Sequence, residues 1–173
     1  MRKWLMPDIM LPTYREVTPQ LCRELGIRAI LSDIDNTLAP YEQPEADEAI
    51  RAWVEALRTG GIEVALISNN HADRVDLFNA DLGLPAYSDA GKPFGKNLRR
   101  AMEVLGVDPS STAMLGDQLL TDALAGNLLG MRVLIVPPIR DKKTAFVRFK
   151  RWLERPVIRK YRKQHPEYQG ETP

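Results

Sequence analysis

The sequence predicts an α/β fold, a five-stranded, mainly parallel sheet flanked by helices in a doubly wound arrangement. From Arg28 onward, short β-branched or aliphatic runs alternate with longer helical stretches, the pattern of parallel strands joined by crossover helices. Apolar residues make up 44% and charged residues 27%, as in ordinary globular domains. A length of 173 residues accommodates one domain with a full core, and not two comfortable ones.

The first strand is expected over 28–33 (Arg-Ala-Ile-Leu-Ser-Asp), followed by a loop through Pro40 and a helix from about Pro44 to Thr59, stopped by Gly60-Gly61. A second strand, Glu63 to Ile67, runs into Ser68-Asn69-Asn70. A helix from about Ala72 to Leu82 ends at Gly83, and a short third strand lies near Ala86-Tyr87. After Gly91-Lys92-Pro93 comes a helix to about Leu105, then a strand from Thr112 to Leu115 that ends in Gly116-Asp117. A helix from Leu119 to Leu128 and a strand from Arg132 to Val136 close the sheet. Gly116 and Gly130 are read as serving backbone geometry, with Gly130 ending a helix.

Composition excludes several classes. The longest apolar runs fall far short of the ~20 residues of a membrane-spanning helix, and the start of the chain lacks the apolar region and cleavage site of a secretory signal. A cytoplasmic location is expected. Cys22 is the only cysteine, which precludes an intrachain disulfide and is read as plain packing. His71 and His165 are the only histidines, too far apart in sequence to suggest zinc, and both are expected at the surface. The net charge of +1 conceals an asymmetry. Residues 1–139 hold 13 Lys+Arg against 19 Asp+Glu, a net −6, whereas 140–173 hold 11 against 4, a net +7. The expected division is a domain over 1–140, its core from about 28 to 136, and a basic amphipathic helical tail over 141–173.

Doubly wound sheets bind ligands at the carboxyl ends of their strands, and Asp33, Ser68, Lys92 and Asp117 each fall at or just past a predicted strand end. They are expected to converge. Asp33 and Asp35 are two apart where an apolar strand gives way to a loop, so the two acids share a face and repel unless a cation or proton lies between them. Taken alone, the pair reads as a helix cap or an Asx-turn. Ser68 alone reads as a helix N-cap, Lys92-Pro93 as a surface turn and Asp117 as another cap.

Together, Asp33-Ile34-Asp35-Asn36-Thr37, Ser68 after Ala65-Leu66-Ile67, Lys92 before Pro93, and Gly116-Asp117 through Thr121-Asp122 resemble the four ordered motifs of haloacid dehalogenase-type phosphatases. The matching motifs span Asp33 to Asp122. Leu5-Met6-Pro7-Asp8, Gly26 to Ile30 and the Arg-rich end extend the resemblance over nearly the whole chain, to the small YqeG-type branch of subfamily IIIA. Eukaryotic relatives of that branch are mitochondrial phosphatases of phosphatidylglycerophosphate.

The resemblance implies a magnesium-dependent phosphomonoester hydrolase working through an aspartyl-phosphate. Asp33 is the implied nucleophile and a metal ligand, Asp35 a metal ligand through its backbone carbonyl and a general acid and base through its carboxyl, and Asp117 the remaining metal ligand. Ser68 and the Asn69 amide are implied to hold phosphoryl oxygens, and Lys92 to offset the charge of Asp33 and the phosphoryl group. Asp122 is expected to bind a metal water or orient Lys92, with Thr37 in a similar supporting place. The chemistry suits these residue types: a carboxylate attacking a phosphate dianion needs added positive charge, and Mg²⁺ prefers oxygen ligands.

Many members of this superfamily insert a cap domain after the first motif or between the second and third. Here the first interval holds one helix and the second a helix and a short strand, so the domain is expected to be capless and its site open. An open site suits a phosphate carried on a large body such as a lipid at a membrane, a protein or a nucleic-acid end; small metabolites fit if an oligomer forms a roof. From Thr144 to Lys163, Phe146, Phe149, Leu153 and Val157 recur at helical spacing, with Trp152 and Arg148, Lys150, Arg151, Arg155, Arg159 and Lys160 nearby. Pro156 is expected to split this segment into two short helices. The tail fits two arrangements, peripheral contact with a membrane or packing on its own domain. The leading expectation is a phosphatidylglycerophosphate phosphatase. The alternatives are a soluble phosphatase of nucleotides, sugar phosphates or phosphoproteins, and an RNA- or ribosome-binding protein, against which the intact Asp33, Asp35, Ser68, Lys92 and Asp117 count.

Overall fold

A computed structural model describes residues 2–94, 96–140, 145–166 and 168. The sheet has six strands: β1 (Ile9–Met10), β2 (Ala29–Ser32), β3 (Glu63–Ile67), β4 (Ala86–Tyr87), β5 (Thr112–Gly116) and β6 (Arg132–Ile135). Their order is β1-β6-β5-β2-β3-β4, and every pairing is parallel. The chain therefore builds outward from β2 through β3 to β4, then crosses back to β5 and β6 on the other side. That reversal opens the crevice where such sheets bind ligands, and it lies at the carboxyl ends of β2 and β5.

The expectation of five strands is corrected by β1. It is two residues long and sits between Pro7 and Pro12, too short to show an alternating pattern. It is made by pairing across more than a hundred residues: the Asp8 and Leu11 amides donate to the Val133 and Ile135 carbonyls at 3.0 and 2.8 Å, and the Val133 amide donates to Asp8 Oδ2 at 2.8 Å.

Alternation along the strands divides the core. Ile30, Val64, Leu66, Ala113 and Leu115 face one side, against α1 (Pro19–Glu24), α2 (Glu48–Thr59) and α3 (Ala72–Asn79), which bring Cys22, Trp53, Leu57, Val75 and Phe78. Leu31, Ala65, Ile67 and Met114 face the other, against α4 (Asn97–Leu105) and α5 (Leu124–Leu129). Helix α2 starts at Glu48 rather than near Pro44 because the Asp47 carboxylate caps it, accepting from the Ile50 amide at 2.9 Å. The helix expected from Leu119 opens instead with a π-helical turn, Leu119–Ala123, before α5.

The basic segment forms α6 (Ala145–Gln164), one helix with Pro156 inside it, which corrects the expected division into two. Pro156 faces solvent, where water can serve the carbonyl that loses its helical donor. The opposite face pins both halves: before the proline, the buried Glu154 accepts the Leu119 amide at 2.8 Å, and after it Val157, Ile158 and Tyr161 are buried with Leu5, Met10, Leu119, Val133 and Ile135, with Tyr161 Oη accepting from the Met10 amide at 3.0 Å. Thr144 and the side chains of Phe146, Arg148 and Arg151 lie outside the described residues. Of the two histidines, His71 is exposed as expected. His165 is half-buried and stacked on Tyr161 with ring centroids 4.3 Å apart, because the end of α6 folds back on the domain.

Candidate active site

The ends of β2, β3 and β5 are adjacent, and the loops that follow them line a cleft of about 350 Å³. Asp33, Asp35, Ser68, Asn69, Lys92, Asp117 and Asp122 all border it. The interval from Leu38 to Ile62 holds α2, and that from Asn70 to Lys92 holds α3 and β4, so neither carries a cap.

Lys92 is the hub of the charged cluster. Its ammonium donates to Asp33 Oδ1 at 2.6 Å and to Asp122 Oδ1 at 2.7 Å, and all three side chains are withdrawn from solvent. Burial alone would favour the neutral amine, but the carboxylates of Asp122 and Asp33 outweigh it and raise the Lys92 pKa. For Asp33, burial pushes the carboxyl well above the ordinary carboxylate range. Lys92 opposes that rise, while Asp122 and Asp35 add to it.

Asp122 holds Lys92 from a fixed position, since its second oxygen accepts from the Gln118 amide at 3.1 Å. Gly116 makes room for this carboxylate: a Cβ there would overlap the Asp122 carboxyl group. The role of Gly116 is therefore close approach, whereas Gly130, at φ 75°, ends α5 in the left-handed conformation. Thr37 Oγ1 donates to Asp33 Oδ2 across 3.4 Å, a long contact.

Ser68 Oγ accepts the Asn70 amide at 3.0 Å, which uses an oxygen lone pair and lets the hydroxyl hydrogen donate to an anion in the cleft. The Asn69 side chain does other work. Its amide exchanges hydrogen bonds with the backbone of Lys92 in both directions, at 2.8 and 3.3 Å, so it braces the lysine loop. Any contact of Asn69 with a phosphoryl oxygen falls to its backbone.

Oxygen atoms of Asp33, Asp117 and Asp122 lie within 4.8 Å of one another, and all three residues are buried. With all three carboxyls ionised around one ammonium the formal charge would be −2, too much to bury without a counterion. The donors are hard oxygens throughout. The cluster therefore fits a divalent cation of the Mg²⁺ type.

Sequence reasoning missed several residues of this cleft. Tyr41 and Asn70 line it, and so do Lys150 and Glu154 of α6. Glu154 is fully buried and accepts the Leu119 and Leu120 amides at 2.8 and 3.2 Å, while the Lys150 ammonium donates to Gln118 Oε1 at 2.6 Å. Arg74 of α3, behind the wall of the cleft, pairs with Asp35 at 3.1 Å. The spacing of Glu154 three before Val157 and four before Ile158 marks it as an inward-facing charge, which was a signal available in the sequence.

Residues 89–141, which include the lysine and the last acidic motif, match the family model described as "HAD-hyrolase-like". The chain is 34% identical over 158 residues to the "Probable phosphatase YqeG" of Bacillus subtilis, covering 91% of this chain and 92% of that protein. It is 27% identical over 152 residues to "Phosphatidylglycerophosphate phosphatase 1, chloroplastic" of Chlamydomonas reinhardtii, covering 82% of this chain but only 56% of that protein. Among solved structures, an uncharacterized protein from Listeria monocytogenes serotype 4b shares the fold. It has a TM-score of 0.52 and 14% identity, over 68% of this chain and 85% of that one.

Proposed function

Because this chain belongs to the YqeG family of haloacid dehalogenase-type phosphatases, we propose that it hydrolyses a lipid phosphomonoester of the phosphatidylglycerophosphate class through an aspartyl-phosphate on Asp33. An oxygen of Asp33 attacks phosphorus as the ester P–O bond breaks, and the Asp35 carboxyl gives its proton to the leaving oxygen. Water then attacks the same phosphorus, losing a proton to Asp35 and releasing phosphate and free Asp33. Lys92 favours the ionised form of Asp33 against the effect of burial and aims it, Ser68 donates to a phosphoryl oxygen, and Asp122 keeps Lys92 in place. A magnesium ion would be held by the carboxylates of Asp33 and Asp117 and the backbone carbonyl of Asp35, and when bound would neutralise phosphoryl charge.

The observation that carries the lipid reading is the position of α6 beside an uncapped cleft. Its inner face lines the site through Lys150 and Glu154. Its outer face presents a stacked pair, Phe149 and Trp152, 55% and 60% exposed, beside Leu153 and the exposed Arg155, Arg159, Lys160 and Lys163. Aromatic and cationic side chains on one helix face suit the headgroup region of an anionic bilayer. No described helix is long and apolar enough to cross a membrane, and the contact proposed is a peripheral one through this face. The relative named as a phosphatidylglycerophosphate phosphatase supports the same substrate.

The test is phosphate release from phosphatidylglycerophosphate in anionic vesicles, with and without Mg²⁺. Metal-dependent turnover that is lost in Asp33→Asn supports the reading. Absence of turnover on vesicles, with brisk turnover of soluble phosphate esters, overturns the lipid assignment and leaves a soluble-substrate phosphatase. Deleting 142–173 would not separate these, since Glu154 and Tyr161 tie α6 to the core. Phe149→Ser/Trp152→Ser, on the outer face, is the sharper probe of vesicle binding.

A further inference from the structure

Asp35 is clamped by two side chains that follow Ser68 in sequence, Asn70 and Arg74. Arg74 donates through Nε and Nη2 to the same carboxylate oxygen, Oδ1, at 3.2 and 3.1 Å, while Asn70 Nδ2 donates to Oδ2 at 3.2 Å. The guanidinium is itself anchored: Nη1 donates to the Pro44 carbonyl at 3.0 Å, and the group lies 5.1 Å from the centroid of the Phe78 ring. Both partners of the pair are mostly buried, at 13% and 18% side-chain exposure. Asn70 is held as well, because its Oδ1 accepts the His71 amide at 2.9 Å and its own amide donates to Ser68 Oγ.

We infer that Arg74 is a positioning residue for proton transfer, fixing the Asp35 carboxyl so that Oδ2 is the atom that gives and takes the proton. The inference rests on the general acid and base role proposed above for Asp35. An oxygen that accepts two guanidinium N–H bonds is a poor site for a proton, because an O–H there would displace a charged donor. Of the two oxygens, Oδ2 is therefore the one open to proton exchange, since a proton there displaces only the neutral donor from Asn70. In the first step, the Oδ2–H bond breaks as the leaving oxygen takes that proton and the ester P–O bond cleaves. In the second, Oδ2 regains a proton from the attacking water as the Asp33–phosphorus link breaks. Arg74 keeps the carboxyl rotation that serves both steps. The residue stands six positions after Ser68, on the first turn of α3, so the helix that follows the serine brings it to Asp35.

The test uses leaving-group dependence, which a merely structural role would not move. The kcat/KM values of wild type, Asp35→Asn, Arg74→Ala and Arg74→Lys are measured on glycerol 1-phosphate, whose alkoxide must be protonated as it leaves, and on 2,4-dinitrophenyl phosphate, whose phenolate leaves without a proton. Thermal unfolding checks that each variant folds. Asp35→Asn and Arg74→Ala are both expected to lose roughly 10²-fold or more on the alkyl ester and only a few-fold on the aryl ester, with Arg74→Lys recovering part of the alkyl activity. If Asp35→Asn shows the selective loss and Arg74→Ala does not, the positioning role is overturned while the Asp35 role survives. Equal loss on both esters in folded Arg74→Ala overturns it as well. If Asp35→Asn itself shows no selectivity between the esters, the general-acid reading fails and takes the inference with it.

Discussion

Replacing Lys92 with Met removes the ammonium while keeping most of the side-chain volume. The loss is large because Nζ is 2.6 Å from Asp33 and 2.7 Å from Asp122, with all three side chains buried. Breaking a buried ion pair by removing one partner costs about 3–5 kcal/mol, since the remaining charge is stranded. Here two carboxylates lose their shared cation, which places the metal-free protein at or beyond the upper end of that range. Added Mg²⁺ should recover part of the loss by supplying charge to the same cluster. Activity should fall by roughly 10²–10³-fold, the usual effect of deleting one preorganised charge-stabilising donor. Urea unfolding with and without Mg²⁺ measures the first quantity, and steady-state kinetics on a soluble phosphate ester measure the second. The double variant Lys92→Met/Asp122→Asn supplies the cross-check: it should be more stable than Lys92→Met alone, because one of the stranded charges is gone, yet no more active. A Lys92→Met protein within about 1 kcal/mol of wild type, or within tenfold of its kcat, would refute the argument that Lys92 is the electrostatic keystone of the cluster.

Two further outcomes follow from the packing. Gly116→Ala puts a methyl group where the Asp122 carboxyl stands, so it should displace Asp122 and loosen Lys92. The expected result is a fall in kcat of at least tenfold in a protein that still unfolds cooperatively, and full activity would show that Asp122 can move without consequence. Cys22 is fully buried, and desolvation pushes its thiol from about 9 up to about 11. The native thiol should resist an aromatic disulfide reagent at pH 8 and react at once in denaturant. The folded state holds the protonated thiol more tightly than the unfolded chain, so this contribution to stability is intact below pH 9 and is lost as pH rises toward 11. Denaturation midpoints of wild type and Cys22→Ala across that window test the sign, with the steeper decline expected in wild type.

Much of this protein is local in its sequence, and that part was readable. The strands at 29–32, 63–67 and 112–116 are short, apolar and bounded by turn residues, and each ends at a residue of the cleft, Asp33, Ser68 or Asp117. Parallel strands joined by helices leave those ends on one edge, so the gathering of Asp33, Ser68, Lys92 and Asp117 follows from topology with little dependence on side-chain detail. The short intervals after Leu38 and Asn70 likewise exclude a cap by length alone.

What required the folded chain was everything built from distant partners. Strand β1 exists because Asp8 and Leu11 find β6, and two residues between prolines carry no periodic signal of that. Asn69 pointed by its position toward a phosphate, yet its side chain meets the Lys92 backbone, a pairing between loops whose approach no local pattern reports. Nothing local sets Arg74 apart on its helix, and only the folded chain places it 3.1 Å from Asp35. The basic tail, which composition set apart from the acidic body, sends Glu154 under the Asp117 loop, where two backbone amides make a buried carboxylate tolerable. Residue type and strand periodicity thus determined which chemistry gathers at the sheet edge. Long-range contacts decided which atoms hold those residues in place, because a hydrogen bond between side chains from distant segments depends on an approach to within a few ångströms that only the packed chain defines.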